Sequence, residues 1–284
     1  MKIIRADHAG FCFGVKRAIE KIEKTLESGT KLYAIGEPIH NPQEIERLCR
    51  LGLIVAKSPD DVPDGACAFI RAHGVPPEVT SRLREKGVSI SDGTCPFVKI
   101  VQSRARQLSR EGYHVLLLGE EKHPEVRGIL GHVEGKYSVV SSEKEVSVST
   151  ILNGSDIIAK LGLVSQTTQE ESTFLAVKEA AKKIAGELKV YNTICSATQE
   201  RQEAVRQLAA SADGMVVIGG KNSANTGRLC SIAEDAGCPV QWIELPEELD
   251  AGWFAGKEVI GIAAGASTPD WLIEQVEEAI ARID

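Results

Sequence analysis

Short, nearly continuous apolar runs alternate along the chain with longer stretches in which apolar positions recur every three or four residues. The runs are LYAIG, CAFIRAHG, HVLLLG, IAKLGLVSQ, MVVIGG and VIGIAAGAS. Apolar runs of this length, without polar alternation, predict strands covered on both faces. Helical periodicity with charged faces spans Lys16 to Leu26, Val98 to Arg110, Ser172 to Leu188, Gln199 to Ala210 and Trp271 to Arg282. This βαβα order predicts an α/β fold with mostly parallel sheets. Turn clusters such as SPDDVPDG and LPEELDAG punctuate it, and there is no low-complexity segment.

A repeat underlies the alternation. Cys12, Cys95 and Cys195 each open an amphipathic stretch that leads into an apolar strand, and a glycine follows 24 positions after each cysteine, at Gly36, Gly119 and Gly219. Four residues further on stand His40, His123 and Ser223. Later in each copy a second strand ends in another polar loop: Thr167 and Ser267 both lie 72 positions after their cysteine, whereas His73 lies 61 after Cys12. A thiol that recurs with its polar companions predicts three equivalent modules, here 13–95, 96–194 and 195–284, the last completed by an N-terminal strand within 1–12. Ligands of α/β sheets bind beyond the carboxyl ends of strands, so the residues after these strands form the expected site.

Composition narrows the class of function. Among 284 residues, 33 Lys and Arg face 40 Asp and Glu, for a net charge of -7, which argues against a nucleic-acid partner. No apolar run reaches the roughly 18 residues of a membrane span, and the N-terminus does not read as a signal or transit peptide. Seven dispersed cysteines, an odd number, do not read as a disulfide framework, so a reducing cytoplasm is expected.

Cysteine thiolates bind soft metals and iron-sulfur clusters. Three of them leave one iron of a 4Fe-4S cluster open as a Lewis acid, although a three-thiolate zinc site would leave the same sequence trace. Cys49, Cys67, Cys230 and Cys238 have no repeat counterpart and read as core residues. The companions His40, His73, His123, Thr167, Ser223, Asn225 and Ser267 are hydrogen-bond donors suited to a small, phosphorylated anion, with no obvious Lys or Arg clamp. Thirty residues after each cysteine the copies read Pro42, Glu125 and Asn225. Only the middle copy brings a carboxylate, the natural proton donor beside an anion.

The series GFCFGVKRAI, IHNPQEI, RAHGV, DGTCPFV, HPEVRG, SQTT, TICSATQERQ and NSANTGRL resembles, in order and over nearly the whole chain, the 4-hydroxy-3-methylbut-2-enyl diphosphate reductase family of the methylerythritol phosphate route to isoprenoids. The resemblance implies a trefoil-like arrangement of three α/β lobes around one central 4Fe-4S cluster on Cys12, Cys95 and Cys195. It implies that the apical iron takes the substrate hydroxyl, with the diphosphate among His40, His73, His123, Ser223, Asn225 and Ser267. Glu125 would deliver protons and Thr167 would help to place the hydroxyl. A small acidic electron donor such as ferredoxin or flavodoxin is implied, and Lys99, Arg104, Arg106 and Arg110 on one predicted helix offer it a face. Many relatives carry a second serine where this chain has Ala224. The competing readings are a non-catalytic cluster- or zinc-binding sensor of a phosphorylated metabolite and, more remotely, a thiol oxidoreductase, against which the lack of a CxxC motif counts.

Overall fold

The computed structural model describes residues 1–147 and 157–283. In chain order the strands and helices are β1 (Lys2–Arg5), α1 (Phe13–Glu27), β2 (Leu32–Ile35), α2 (Pro42–Arg50), β3 (Leu53–Ala56), β4 (Cys67–Ile70), α3 (Pro77–Glu85), β5 (Ser89–Asp92), α4 (Pro96–Arg110), β6 (His114–Leu118), α5 (Pro124–Leu130), β7 (Tyr137–Val140), β8 (Ile158–Ser165), α6 (Glu171–Ile184), β9 (Ala185–Val190), α7 (Ser196–Ala209), β10 (Gly214–Ile218), α8 (Ala224–Asp235), β11 (Val240–Ile243), β12 (Val259–Ala264) and α9 (Asp270–Ala281). They build three four-stranded parallel sheets, ordered β3-β2-β4-β5, β7-β6-β8-β9 and β11-β10-β12-β1. Each sheet therefore repeats one order, second-first-third-fourth. In the last sheet the N-terminal strand β1, paired with β12, occupies the fourth place.

The continuous apolar runs divide their side chains between two cores. In β6, Leu116 and Leu118 join the cluster that holds Phe174 and Val177, while Val115 and Leu117 join the one that holds Val101 and Val126. In β10, Met215 and Val217 face Leu229 and Val205, while Val216 and Ile218 face Leu272 and Val276. Every residue of both strands is buried. This is the period-2 geometry of a strand with helices on each side.

The helical reading of Ser172 to Leu188 is too long. Helix α6 ends at Ile184 and β9 runs straight on from Ala185 to pair with β8. A Cβ at Gly186 would lie 3.1 Å from the carbonyl oxygen of Ala159, so glycine permits this close strand contact.

By contact the chain groups into two compact units: Met1–Ile19 with Ile39–Leu51 and Ser196–Asp284, and Glu20–Pro38 with Gly52–Cys195. The first holds the β1-β12-β10-β11 sheet and the second holds the other two. In each sheet the chain reverses direction between the first and third strands, at β2/β4, β6/β8 and β10/β12. The loops that leave those six strand ends are where a doubly wound sheet binds its ligand. His40, His73, His123, Thr167, Ser223 and Ser267 lie on them, and Glu125 and Asn225 stand in the first turns of the helices that follow.

Candidate active site

Each repeat cysteine directly precedes a helix: Cys12 before α1, Cys95 before α4 and Cys195 before α7. The backbone N–H of each is fixed by the loop after a third strand. Cys12 donates to Ala266 O at 3.1 Å, Cys95 to Ala72 O at 2.9 Å and Cys195 to Thr167 O at 3.1 Å. The three acceptors stand in one place, two residues past the ends of β12, β4 and β8. Thr167 is therefore the counterpart of Ala266 in the fold, and Ser267 is the counterpart of Thr168, one residue away from the match suggested by counting from the cysteines. The three thiols are partly accessible. Cys230 and Cys238 are buried instead, and burial pushes the Cys230 thiol up to about 12. A partly accessible thiol on fixed backbone has the chemistry that a soft metal or an iron-sulfur cluster asks of a ligand, and each of the three has it.

The repeated glycines have a steric reason. A Cβ at Gly119 would lie 2.8 Å from Val126, and one at Gly219, whose φ is 150°, would lie 2.7 Å from Thr226. Val126 and Thr226 occupy the same place in the first turns of α5 and α8. Glycine lets that turn close over the strand end and bring its cap forward.

In the larger unit, His123 caps α5 with its ring, Nδ1 accepting from the N–H of Glu125 at 3.1 Å. A neutral ring so bonded carries its proton on Nε2. The His73 and His123 rings meet edge to face with centroids 5.4 Å apart. Glu125 is only 1 % exposed. Its Oε1 accepts from Thr167 N at 2.7 Å, and its Oε2 accepts from the Thr167 hydroxyl at 2.8 Å. Burial raises the Glu125 pKa from 4.5 to about 7, against the two Thr167 bonds that lower it. Gln166 was not singled out by sequence, yet it braces this loop: its Oε1 accepts from Glu120 N at 3.1 Å and its Nε2 donates to Thr168 Oγ1 at 3.0 Å.

In the other unit, Ser223 caps α8, accepting from Thr226 N at 3.3 Å. Asn225 is buried, and its Nδ2 has no hydrogen-bond partner among the described residues. The Ser267 hydroxyl donates to His40 O at 3.0 Å. The cap of α2 is Asn41, whose Oδ1 accepts from Glu44 N at 2.8 Å, so His40 stands one residue before the cap. This shift makes Gln43, not Pro42, the structural counterpart of Glu125 and Asn225. The second helical residue is then an amide, a carboxylate and an amide in the three copies, and the carboxylate remains particular to the middle one.

Two charged features differ from the sequence expectation. Arg71, two residues before His73, carries a guanidinium whose Nε has no partner among the described residues, and burial lowers its pKa. The RAHGV motif contained this clue. The supposed basic face of α4 is largely occupied: Lys99 pairs with Asp92 at 2.6 Å, Arg110 with Glu134 at 2.8 Å, Arg106 bonds His132, and Arg104 lies over the Tyr191 ring at 4.6 Å.

The model of the LytB protein family matches residues 3–281. The chain belongs to the LytB family. LytB relatives include the 4-hydroxy-3-methylbut-2-enyl diphosphate reductase of Aquifex aeolicus (strain VF5), 47 % identical over 288 residues, covering 99 % of this chain and 96 % of that protein. Another, of the same name, from Geobacter sp. (strain M21), is 41 % identical over 284 residues, covering 100 % and 98 %. A solved (E)-4-hydroxy-3-methyl-but-2-enyl diphosphate reductase, described as the terminal enzyme of the non-mevalonate pathway, aligns with a TM-score of 0.71 at 46 % identity over 99 % of both chains. The E-1-hydroxy-2-methyl-but-2-enyl-4-diphosphate reductase from Plasmodium falciparum aligns with a TM-score of 0.90 at 25 % identity, over 99 % of this chain and 87 % of that one. No helix among the described residues is long and apolar enough to cross a membrane.

Proposed function

We propose that this chain catalyses the two-electron reductive dehydroxylation of (E)-4-hydroxy-3-methylbut-2-enyl diphosphate to isopentenyl and dimethylallyl diphosphates. Family membership supports the reaction, and the observation that carries the mechanism is the buried Glu125 carboxyl held by Thr167. Cys12, Cys95 and Cys195 hold one 4Fe-4S cluster, which when bound supplies the two electrons and a Lewis-acid position for the hydroxyl. Imidazoles of His40, His73 and His123 join Ser223, Asn225 and Ser267 in binding the diphosphate through neutral or singly cationic donors. The orphaned Nδ2 of Asn225 is a donor that such an anion satisfies.

Glu125, with a pKa of about 7, is protonated in a useful fraction of molecules near neutrality and can release that proton to a departing hydroxyl. The C–O bond breaks, two electrons enter, one proton leaves with oxygen as water, and a second is delivered to either end of the allyl unit. The Thr167 hydroxyl, 2.8 Å from Glu125 Oε2, places both the acid and the substrate oxygen. The phosphate contact of the hydroxyl missing at Ala224 is taken over by a backbone N–H or lost. An acidic iron-sulfur or flavin protein such as ferredoxin or flavodoxin donates the electrons. The lobe bounds are 13–95, 96–194 and 195–284, with 1–12 completing the third.

Anaerobically purified protein supplied with a chemical reductant and the hydroxylated diphosphate tests the reading. Formation of both products is expected, and intact substrate in the presence of iron-loaded protein would overturn it. A sensor of a phosphorylated metabolite would account for the thiols and the anion-binding set, but it leaves the paired acid of Glu125 and Thr167 without a task.

A further inference from the structure

A cavity of about 360 Å³ opens within the larger unit, beside the loops that carry His73 and Cys95, and its size suits a small ligand. Its walls come from β4, β5, α3 and α4. One side is cationic, formed by Arg84, Lys99 and Arg106. The lining includes a single carboxylate, Asp92, which is already engaged by Lys99 at 2.6 Å and by Thr94 N at 2.9 Å. Both guanidiniums are left without a carboxylate partner. Arg84 makes no ion pair among the described residues. Among the described residues Arg106 bonds the Nδ1 of His132, a ring whose pKa burial and Arg106 itself depress, so the ring accepts while neutral. Glu134, whose carboxylate feels Arg106, is bonded by Arg110 at 2.8 Å. Pro77 and Ile90, both partly exposed, add apolar lining over the buried Ile70 and Val75.

We propose that this cavity is a second binding site, for a diphosphate that carries a short apolar tail, with the headgroup at Arg84 and Arg106 and the tail against Pro77 and Ile90. Guanidiniums hold phosphoryl oxygens bidentately, and the apolar lining accommodates a short hydrocarbon. Ligands of this chemistry are the products of the proposed reaction and their elongated derivatives, so the cavity would let an end product report back on the chain. Lys99 and Asp92 connect it to Thr94, next to Cys95.

Isothermal titration of isopentenyl diphosphate into the anaerobic holoprotein tests the site, with Arg84→Glu as the variant. Arg84 is exposed and has no part in the catalytic set, so fold and turnover are expected to persist. One binding component is expected to weaken at least tenfold in Arg84→Glu and to survive in Arg84→Lys. Inorganic diphosphate is expected to fill that component at least tenfold more weakly than the alkyl ester. An Arg84→Glu isotherm that superimposes on the parent would overturn the site, and equal binding of the two probes would overturn the role of the tail. Because the component is defined by its loss in Arg84→Glu, the result does not depend on whether the proposed reaction holds.

Discussion

Replacing Glu125 by Gln should cost activity and increase stability, and the two effects come from the same burial. The folded carboxyl titrates near 7, against 4.5 for an ordinary Glu. As pH rises from 4.5 the unfolded chain ionises first, so folding loses free energy until the folded acid also ionises near 7. A shift of 2.5 units (7 minus 4.5) at 1.36 kcal/mol per unit sets an upper bound of about 3 kcal/mol on the cost at pH 8.5, against about 1 kcal/mol at pH 5.5. Gln has the same shape and keeps an acceptor for the Thr167 N–H, but it has no charge to desolvate. Relative to the parent, Glu125→Gln should therefore gain about 2 kcal/mol of unfolding free energy between pH 5.5 and 8.5, measured by denaturant titration at both pH values. Turnover should fall by roughly 10²- to 10⁴-fold, the usual contribution of a positioned acid. A stability difference that does not change with pH would refute the perturbed carboxyl, and an unimpaired rate would remove Glu125 from the chemistry.

Thr167→Val deletes the hydroxyl bond that favours the ionised Glu125, so its pKa should rise by about one unit, and the alkaline limb of kcat/KM against pH should move upward with it. A limb that stays in place would detach Thr167 from the acid. Gly93→Ala places a Cβ 2.2 Å from Phe69 Cζ and 2.6 Å from Ile70 O, just ahead of Cys95; denaturation should show a loss of about 3 kcal/mol or failure to fold. Cys12→Ser, Cys95→Ser and Cys195→Ser should each fall below the roughly four irons per chain of an intact cluster, while Cys230→Ser, at a buried core position, should retain them.

The three-sheet plan was readable because each copy obeys the same local rules: a continuous apolar run, a glycine at the strand end and a polar cap four or five residues later. β9 was not readable. AGELKV carries a charged, half-buried pattern that continues the charged periodicity of α6, and only its pairing with β8 distinguishes the two. Counting residues from the cysteines located the site loops but misaligned their contents by one position, because α2 takes Asn41 rather than His40 as its cap and because β8 and β12 end one residue out of step with their cysteines. Gln43, Gln166 and Arg71 were missed because an amide or a cation in a loop has no period of its own. Their neighbours across the sheet give them meaning. The environment of Glu125 was likewise invisible in the linear chain, since the Thr167 that pairs with it lies 42 residues away.

The most direct test of the account is the EPR spectrum of the reduced, anaerobically purified protein, recorded with and without (E)-4-hydroxy-3-methylbut-2-enyl diphosphate. Three thiolate ligands leave one iron of a 4Fe-4S cluster available to substrate, so the cluster signal should change when the diphosphate is added. Superimposable spectra from an iron-replete protein, or a zinc-loaded protein with no cluster signal at all, would contradict it.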